Sequence, residues 1–227
     1  MTTKRVADYI AQFLVQQGVR DIFMLTGNGA MYLNDAIAQS NIRYYCARNE
    51  AAAPMMAEAY ARVKQTFGAV CLTAGPGSTN AVPGLAEAWV DAAPVFIISG
   101  QVQRSERADV IGLPGLRSFG AAEINIVPVV QSLTKYAVTV TEPTSIRYHL
   151  ERAAHAALSG RPGPVWLDIP MDVQYAPVEF DALEDYTPPA DPGYRTQLDD
   201  DVEAVVALLR QAKRPLVIGG HGIRQGG

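Results

Sequence analysis

The chain is poor in the residues from which proteins build metal centres and disulfide frameworks: two cysteines and three scattered histidines in 227 residues. No protein-built zinc site suggests itself from so few ligands. Cys46 and Cys71 both fall in stretches expected to be buried strands, so they read as inert core thiols of a reducing compartment. Charge of one sign is also lacking. A net charge of −4 leaves no electrostatic footprint for nucleic acid and no basic face for an anionic membrane. No stretch approaches the roughly 18 consecutive apolar residues of a membrane span. Met1-Thr2-Thr3-Lys4-Arg5 leads into an amphipathic pattern rather than a continuous apolar segment, so no signal peptide is expected. A cytoplasmic location is the expectation that follows.

What is present is an alternation. Val6, Ile10, Phe13 and Leu14 share a helical face that Gly18 ends, and 21–25 reads as a short strand running into Thr26-Gly27-Asn28-Gly29. A helix over 31–39, a buried strand over 42–47, a helix of small residues and a strand over 68–73 follow. Then come Gly75-Pro76-Gly77-Ser78-Thr79-Asn80, a helix through Trp89 and an apolar strand over 95–99. Further on, 134–140 is a strand, 143–158 a helix, and 165–169 the strand expected to close the sheet. Strands apolar throughout, alternating with helices, give an α/β fold: a mostly parallel sheet with helices on both faces. Residues 100–120 form an irregular segment too long for an idle connection.

The proline-rich stretch 170–198 reads as a linker, and 199–227 as a helix, a strand over 216–218 and a glycine turn. These pieces are too few to bury a core. Gly219-Gly220-His221-Gly222 after that strand is a weak nucleotide-binding signal. The division is therefore 1–175 as the main domain, 176–198 as linker and 199–227 as the truncated start of a second α/β domain.

The centre of the pattern is Glu50, at a junction between strand and helix where the helix dipole favours a carboxylate. Alone, such an acid is an ordinary helix cap. Yet in a parallel sheet the turns after the strands gather at one edge, where ligands bind. The turns at 26–29, 49–50 and 75–80 then share that edge. Two open glycine loops flanking one acid describe a cleft for a flat ring close to the backbone. Gly75-Pro76-Gly77 is no phosphate cradle, because it has no Lys and only a short glycine spacing.

These residues resemble a known family. Ile22-Phe23, Gly27 and Asp35-Ala36, then Arg48-Asn49-Glu50 with Glu58-Ala59-Tyr60-Ala61-Arg62, are similar to the pyrimidine-binding domain of thiamine-diphosphate enzymes. So are Gly75-Pro76-Gly77-x-x-Asn80, Gly84-Leu85-Ala86, Ser99-Gly100-Gln101, Gly160-Arg161-Pro162-Gly163-Pro164 and Asp168-Ile169-Pro170. The acetolactate-synthase-like branch is the nearest, and 199–227 resembles the start of that family's middle domain.

The resemblance implies the chemistry. Glu50 would share a proton with the cofactor's aminopyrimidine ring, from an apolar pocket that favours its protonated form. Asn28 would face the substrate. Gly27, Thr73, Pro76, Gly77, Asn80 and Gln101 would hold the cofactor, with Gln101 alternatively tying down the loop that follows. It implies thiamine diphosphate with Mg²⁺ bound through a C-terminal domain, leaves FAD open, and assigns this chain no metal ligand. A homodimer or dimer of dimers is expected, because the family's cleft lies between subunits.

Two departures keep the substrate open. Acetolactate synthases usually carry Phe-Gln-Glu where this chain has Ala121-Ala122-Glu123, and 100–125 lacks the paired histidines of simple 2-oxo acid decarboxylases. The leading expectation is a carboligase or lyase (a transferase or lyase by class) acting on pyruvate or a similar 2-oxo acid. Alternatives are a relative with a larger acceptor, a non-catalytic pyrimidine-domain fragment, or a nucleotide-dependent oxidoreductase resting on 219–222 alone. The Gly-Asp-Gly…Asn motif for Mg²⁺ and diphosphate is absent from these 227 residues, so the chain by itself is expected to be an inactive N-terminal fragment.

Overall fold

The computed structural model describes residues 3–190 and 198–225. It divides into two compact units, 1–186 and 187–227. In the first, β1 (Thr3–Arg5) leads into α1 (Val6–Gln16), β2 (Asp21–Met24), α2 (Met31–Ala38) and β3 (Arg43–Cys46). Then follow α3 (Ala52–Lys64), β4 (Gly68–Leu72), α4 (Pro76–Asn80), α5 (Val82–Val90) and β5 (Val95–Gln101). The remainder is α6 (Ala108–Ile111), α7 (Ile126–Val130), β6 (Tyr136–Thr139), α8 (Ile146–Leu158), β7 (Val165–Pro170), α9 (Met171–Tyr175) and β8 (Pro177–Glu179).

Six strands form one sheet in the order β3-β2-β4-β5-β7-β6, every neighbouring pair parallel. β4, β5 and β7 are buried along their whole length, as expected of strands covered on both faces. One apolar cluster joins Ile10, Leu14, Leu33, Leu150 and Ala153 of α1, α2 and α8 to Ile22, Phe96 and Leu167 of the sheet. A second, across the sheet, joins Ala53, Ala57, Leu85 and Ala88 of α3 and α5 to Val70, Leu72, Ile97 and Trp166. The alanines of α3 let its backbone approach the strands closely.

Several expectations are corrected. β3 is exposed along its length rather than buried, because it is an edge strand with β2 as its single neighbour. Cys46 is consequently exposed, while Cys71 is buried and its desolvated thiol is pushed up to about 12. β6, not β7, closes the far edge. The helix expected to run on to Trp89 is broken into α4 and α5 around Ala81. The proline-rich stretch opens with structure: Pro177–Glu179 pairs antiparallel with Thr3–Arg5.

The second unit, by itself, holds α10 (Leu198–Gln211) and α11 (Gly222–Gln225). The strand expected over 216–218 does not form. Leu216, Val217 and Ile218 are more than three-quarters exposed, and no described strand offers them a ladder. No helix among the described residues is long and apolar enough to cross a membrane.

Candidate functional site

Because β3, β2 and β4 are adjacent and parallel, the turns that leave them stand side by side at their C-terminal ends. The β2 turn carries Gly27 and the exposed Asn28, which begins a 3-10 turn. The β3 turn carries Asn49 and Glu50, and the β4 turn leads from Thr73 into α4.

Glu50 is not the helix cap. The N-cap is Ala51, and ahead of it Asn49 forms an Asx turn: its Oδ1 accepts the Ala51 N–H at 2.9 Å and its carbonyl accepts the Ala52 N–H at 3.1 Å. The Glu50 carboxylate is thereby left to face the neighbouring turn. Its Oε2 accepts a hydrogen bond from Asn80 Nδ2 at 2.7 Å. Its Oε1 lies 3.4 Å from where a Cβ on Gly77 would stand, so the absence of a side chain there opens the space in front of it. Glu50 itself is half-buried.

Thr73 is the post between the two glycine turns. Its Oγ1 accepts the Gly29 N–H at 3.2 Å and its carbonyl accepts from Ser78 Oγ at 2.6 Å. Any Cβ on Gly27 or Gly77 would collide with the Thr73 side chain, at 2.4 Å and 2.6 Å respectively. Thr73 thus sets the spacing of the turns. Pro76, exposed, occupies the first turn of α4, where its missing N–H costs little. The structure therefore brings Gly27, Glu50, Thr73, Gly77 and Asn80 into one constellation, with Asn28 and Pro76 on its exposed rim.

Gln101 is placed elsewhere. It is 2% exposed, and its Nε2 donates to the Ile124 carbonyl at 2.9 Å and to Asp168 Oδ2 at 3.0 Å, while Oε1 accepts the Val102 N–H. Burial leaves it no polar atom for a ligand, so its contribution is to tie down the loop. Sequence reasoning also missed Gln174, whose buried Nε2 donates to the Gly29 carbonyl at 2.7 Å and props up the β2 turn. Nothing in the residues around position 174 signals that contact.

Gln101 belongs to a buried network around Asp168. Ser99 Oγ donates to Asp168 Oδ1 at 2.7 Å, Thr139 Oγ1 to Oδ2 at 3.2 Å, and Trp166 Nε1 to Ser99 Oγ at 2.8 Å. Burial pushes Asp168 up to about 6, against the opposing pull of the Ser99 and Gln101 bonds and the Arg107 charge. A raised carboxylate gives up its proton first in the unfolded chain. Its contribution to stability therefore falls as pH rises from about 4 to about 6, by about 3 kcal/mol at most, and is level above that. Denaturation of wild type and Asp168→Asn across this range is the check. The wild-type stability relative to the variant should decline over that window, and a pH-independent difference would refute the assignment.

The chemical content of the constellation is specific. An acid oriented through one oxygen, with its other oxygen facing a gap between two glycine turns, suits a flat heterocycle that carries a basic ring nitrogen. Among the described residues no group of three or more His, Cys, Asp or Glu gathers as a metal site. Fold and site together define an α/β domain whose candidate ligand site lies at the C-terminal edge of a parallel sheet. The chain belongs to the thiamine pyrophosphate enzymes: the family described as "Thiamine pyrophosphate enzyme, N-terminal TPP binding domain" matches residues 4–122.

The curated relatives agree. Acetolactate synthase 2, chloroplastic, of Nicotiana tabacum is 34% identical over 229 residues, covering 98% of this chain and 32% of that protein. Acetolactate synthase isozyme 3 large subunit of Escherichia coli K12 is 32% identical, covering 97% and 38%. The acetolactate synthase large subunit of Corynebacterium glutamicum is 34% identical, covering 96% and 33%. The chain thus spans about a third of the length of the relatives it matches.

Proposed function

We propose that this chain is the cofactor-activating part of a thiamine-diphosphate-dependent carboligase or lyase that acts on pyruvate or a similar 2-oxo acid. The observation that carries the reading is the Glu50–Asn80 bond beside Gly77, with the Asx turn before the helix made by Asn49. Thiamine diphosphate, when bound, supplies an electron sink for breaking and making bonds next to a carbonyl carbon. The rest is done by the protein. Gly27 and Gly77 leave room for the pyrimidine ring, Thr73 fixes the gap between them, and Asn80 orients the Glu50 carboxylate. Glu50 Oε1 is then the atom that holds a proton at the ring nitrogen. On this reading a second copy of the subunit supplies the diphosphate half of the cleft and its Mg²⁺. Asn28, exposed on the rim, faces the 2-oxo acid.

A larger acceptor is the second reading, and one observation speaks for it. Ala121 and Ala122 are both exposed where the turn returns towards Gly75, and they present only methyl groups there. The experiment supplies the full-length enzyme with pyruvate, thiamine diphosphate and Mg²⁺ and identifies the product. Acetolactate is the expected product. Acetaldehyde alone, or no product until a larger ketone is added, would overturn the acetolactate assignment and leave the cofactor assignment standing. No cofactor-dependent turnover with any 2-oxo acid would overturn both.

A further inference from the structure

The segment between β5 and α7 is closed at its neck by one buried side chain. Glu123 is 7% exposed, and both of its oxygens are used. Oε1 accepts the Ala108 N–H at 2.7 Å and Oε2 the Phe119 N–H at 2.8 Å. Ala108 opens α6 and Phe119 lies at the loop's return, so a single carboxylate fixes both ends of a compact surface loop. The Gly120 N–H to the Glu106 carbonyl, 2.9 Å, closes the next layer. Beyond the neck Val110 and Leu113 are largely exposed, as is the side chain of Phe119 at the neck itself.

The neck leans on the site. Ala122 adopts a positive φ of 60°, which an alanine rarely does, and its carbonyl reaches the glycine turn. A Cβ on Gly75 would stand 1.8 Å from that oxygen, and Gly75 itself has φ 63°. Gly75 is the residue from which α4 starts, and its carbonyl accepts the Thr79 N–H at 3.0 Å. The last residue of α4 is Asn80, which orients Glu50. A continuous run of contacts thus leads from Glu123 through Ala122, Gly75 and Asn80 to the Glu50 carboxylate.

We infer that Glu123 is a positioning residue for the Glu50 site: by holding the 120–123 turn against Gly75 it keeps Asn80 on Glu50. The role of Glu50 is that of the proposed function, on which this inference rests. A carboxylate is required because two N–H groups converge on it. Glutamine has one acceptor oxygen and would set its own N–H₂ against the second donor. Aspartate is a methylene too short to reach both.

Two variants of the full chain test the coupling. Glu123→Gln removes one acceptor. Ala108→Pro removes one donor at a first-turn helix position that tolerates proline, after Arg107, whose φ −86° and ψ 132° suit a residue preceding proline. Amide hydrogen exchange read by mass spectrometry should quicken at least tenfold in the 106–120 loop in both variants, and also at Thr79 and Ala81 of the glycine turn. Faster exchange in the loop with wild-type protection at 79 and 81 would overturn the inference, because the staple would then be local.

The catalytic arm uses the full-length enzyme. Glu123→Gln should lower kcat at least tenfold with KM for the 2-oxo acid within twofold, since proton handling and not binding is disturbed. A rise in KM with kcat retained would also overturn it. If wild type shows no cofactor-dependent turnover, the proposed function fails while the amide exchange still judges the coupling.

Discussion

Replacing Glu50 with glutamine should leave the fold intact and suppress deprotonation of the cofactor at C2 by about 10²- to 10⁴-fold, the range for a positioned acid–base group. That corresponds to about 3–5 kcal/mol of barrier. The fold should survive because Glu50 is half-buried and its bond to Asn80 needs only an acceptor oxygen, which glutamine keeps. What glutamine lacks is a proton that can come and go. Deuterium exchange at C2 of the bound cofactor in the full-length enzyme is the measurement, with thermal unfolding as the control. Wild-type exchange in the variant would remove Glu50 from the mechanism. An unfolded variant would show that the carboxylate has a structural task beyond the Asn80 bond.

Trp166→Ala should be the most damaging single change to the first unit. Trp166 is fully buried in β7, opposite Ile97 of β5 and Ala137 of β6, and belongs to the apolar cluster beneath α3 and α5. Truncating a buried tryptophan costs about 3–5 kcal/mol, against a total of about 5–15 kcal/mol for a typical domain. The loss is compounded because Trp166 Nε1 is a donor to Ser99 Oγ, which in turn donates to Asp168. The urea midpoint is the observable. Trp166→Phe keeps most of the volume and loses the N–H, so its smaller shift separates packing from hydrogen bonding. A shift in the alanine variant equivalent to less than about 1 kcal/mol would mean that the site collapses around the void.

The parallel sheet was legible because β4, β5 and β7 are short, predominantly apolar stretches bounded by turn residues and alternating with helical patterns, as strands covered on both faces are. The exposure of β3 was misread: Ile42, Cys46 and Ala47 suggested burial, while Arg43 and the two amphipathic tyrosines beside it suit an edge strand, and only the strand order shows that β3 stands at the edge. Position in the sheet is a property of the whole chain. Glu50 stood out through its neighbours at the junction, where an acid reads equally as an ordinary helix cap. Only the structure shows its Oε2 turned to Asn80, with the Asx turn ahead of the helix made by Asn49.

Between the two roles open to Gln101, the sequence had no means to choose. A polar residue at the end of an apolar strand has the same pattern whether it faces a cleft or an interior acid such as Asp168, 67 residues further along the chain. Glu123 stood in plain view as the one residue matching the usual Phe-Gln-Glu. Its task became visible only when the chain was seen to return on itself. The same distance defeats the reading of 216–218: a strand-like trio needs a partner, and none is found among the described residues.

The pairing of Thr3–Arg5 with Pro177–Glu179 has a kinetic meaning. It is the one antiparallel ladder among the described residues, and it joins the two ends of the first unit. The parallel partners lie between 22 residues apart, at Asp21 and Arg43, and 69 apart, at Ser99 and Asp168, so each pairing closes a loop before its contacts repay it. The terminal clasp demands the longest closure of all, and only the assembled sheet brings its halves together. It should therefore be the last piece to form as the chain folds and the first to fray under stress. A bulky tag joined directly to Lys4 would burden the final step of folding and leave the nucleus untouched.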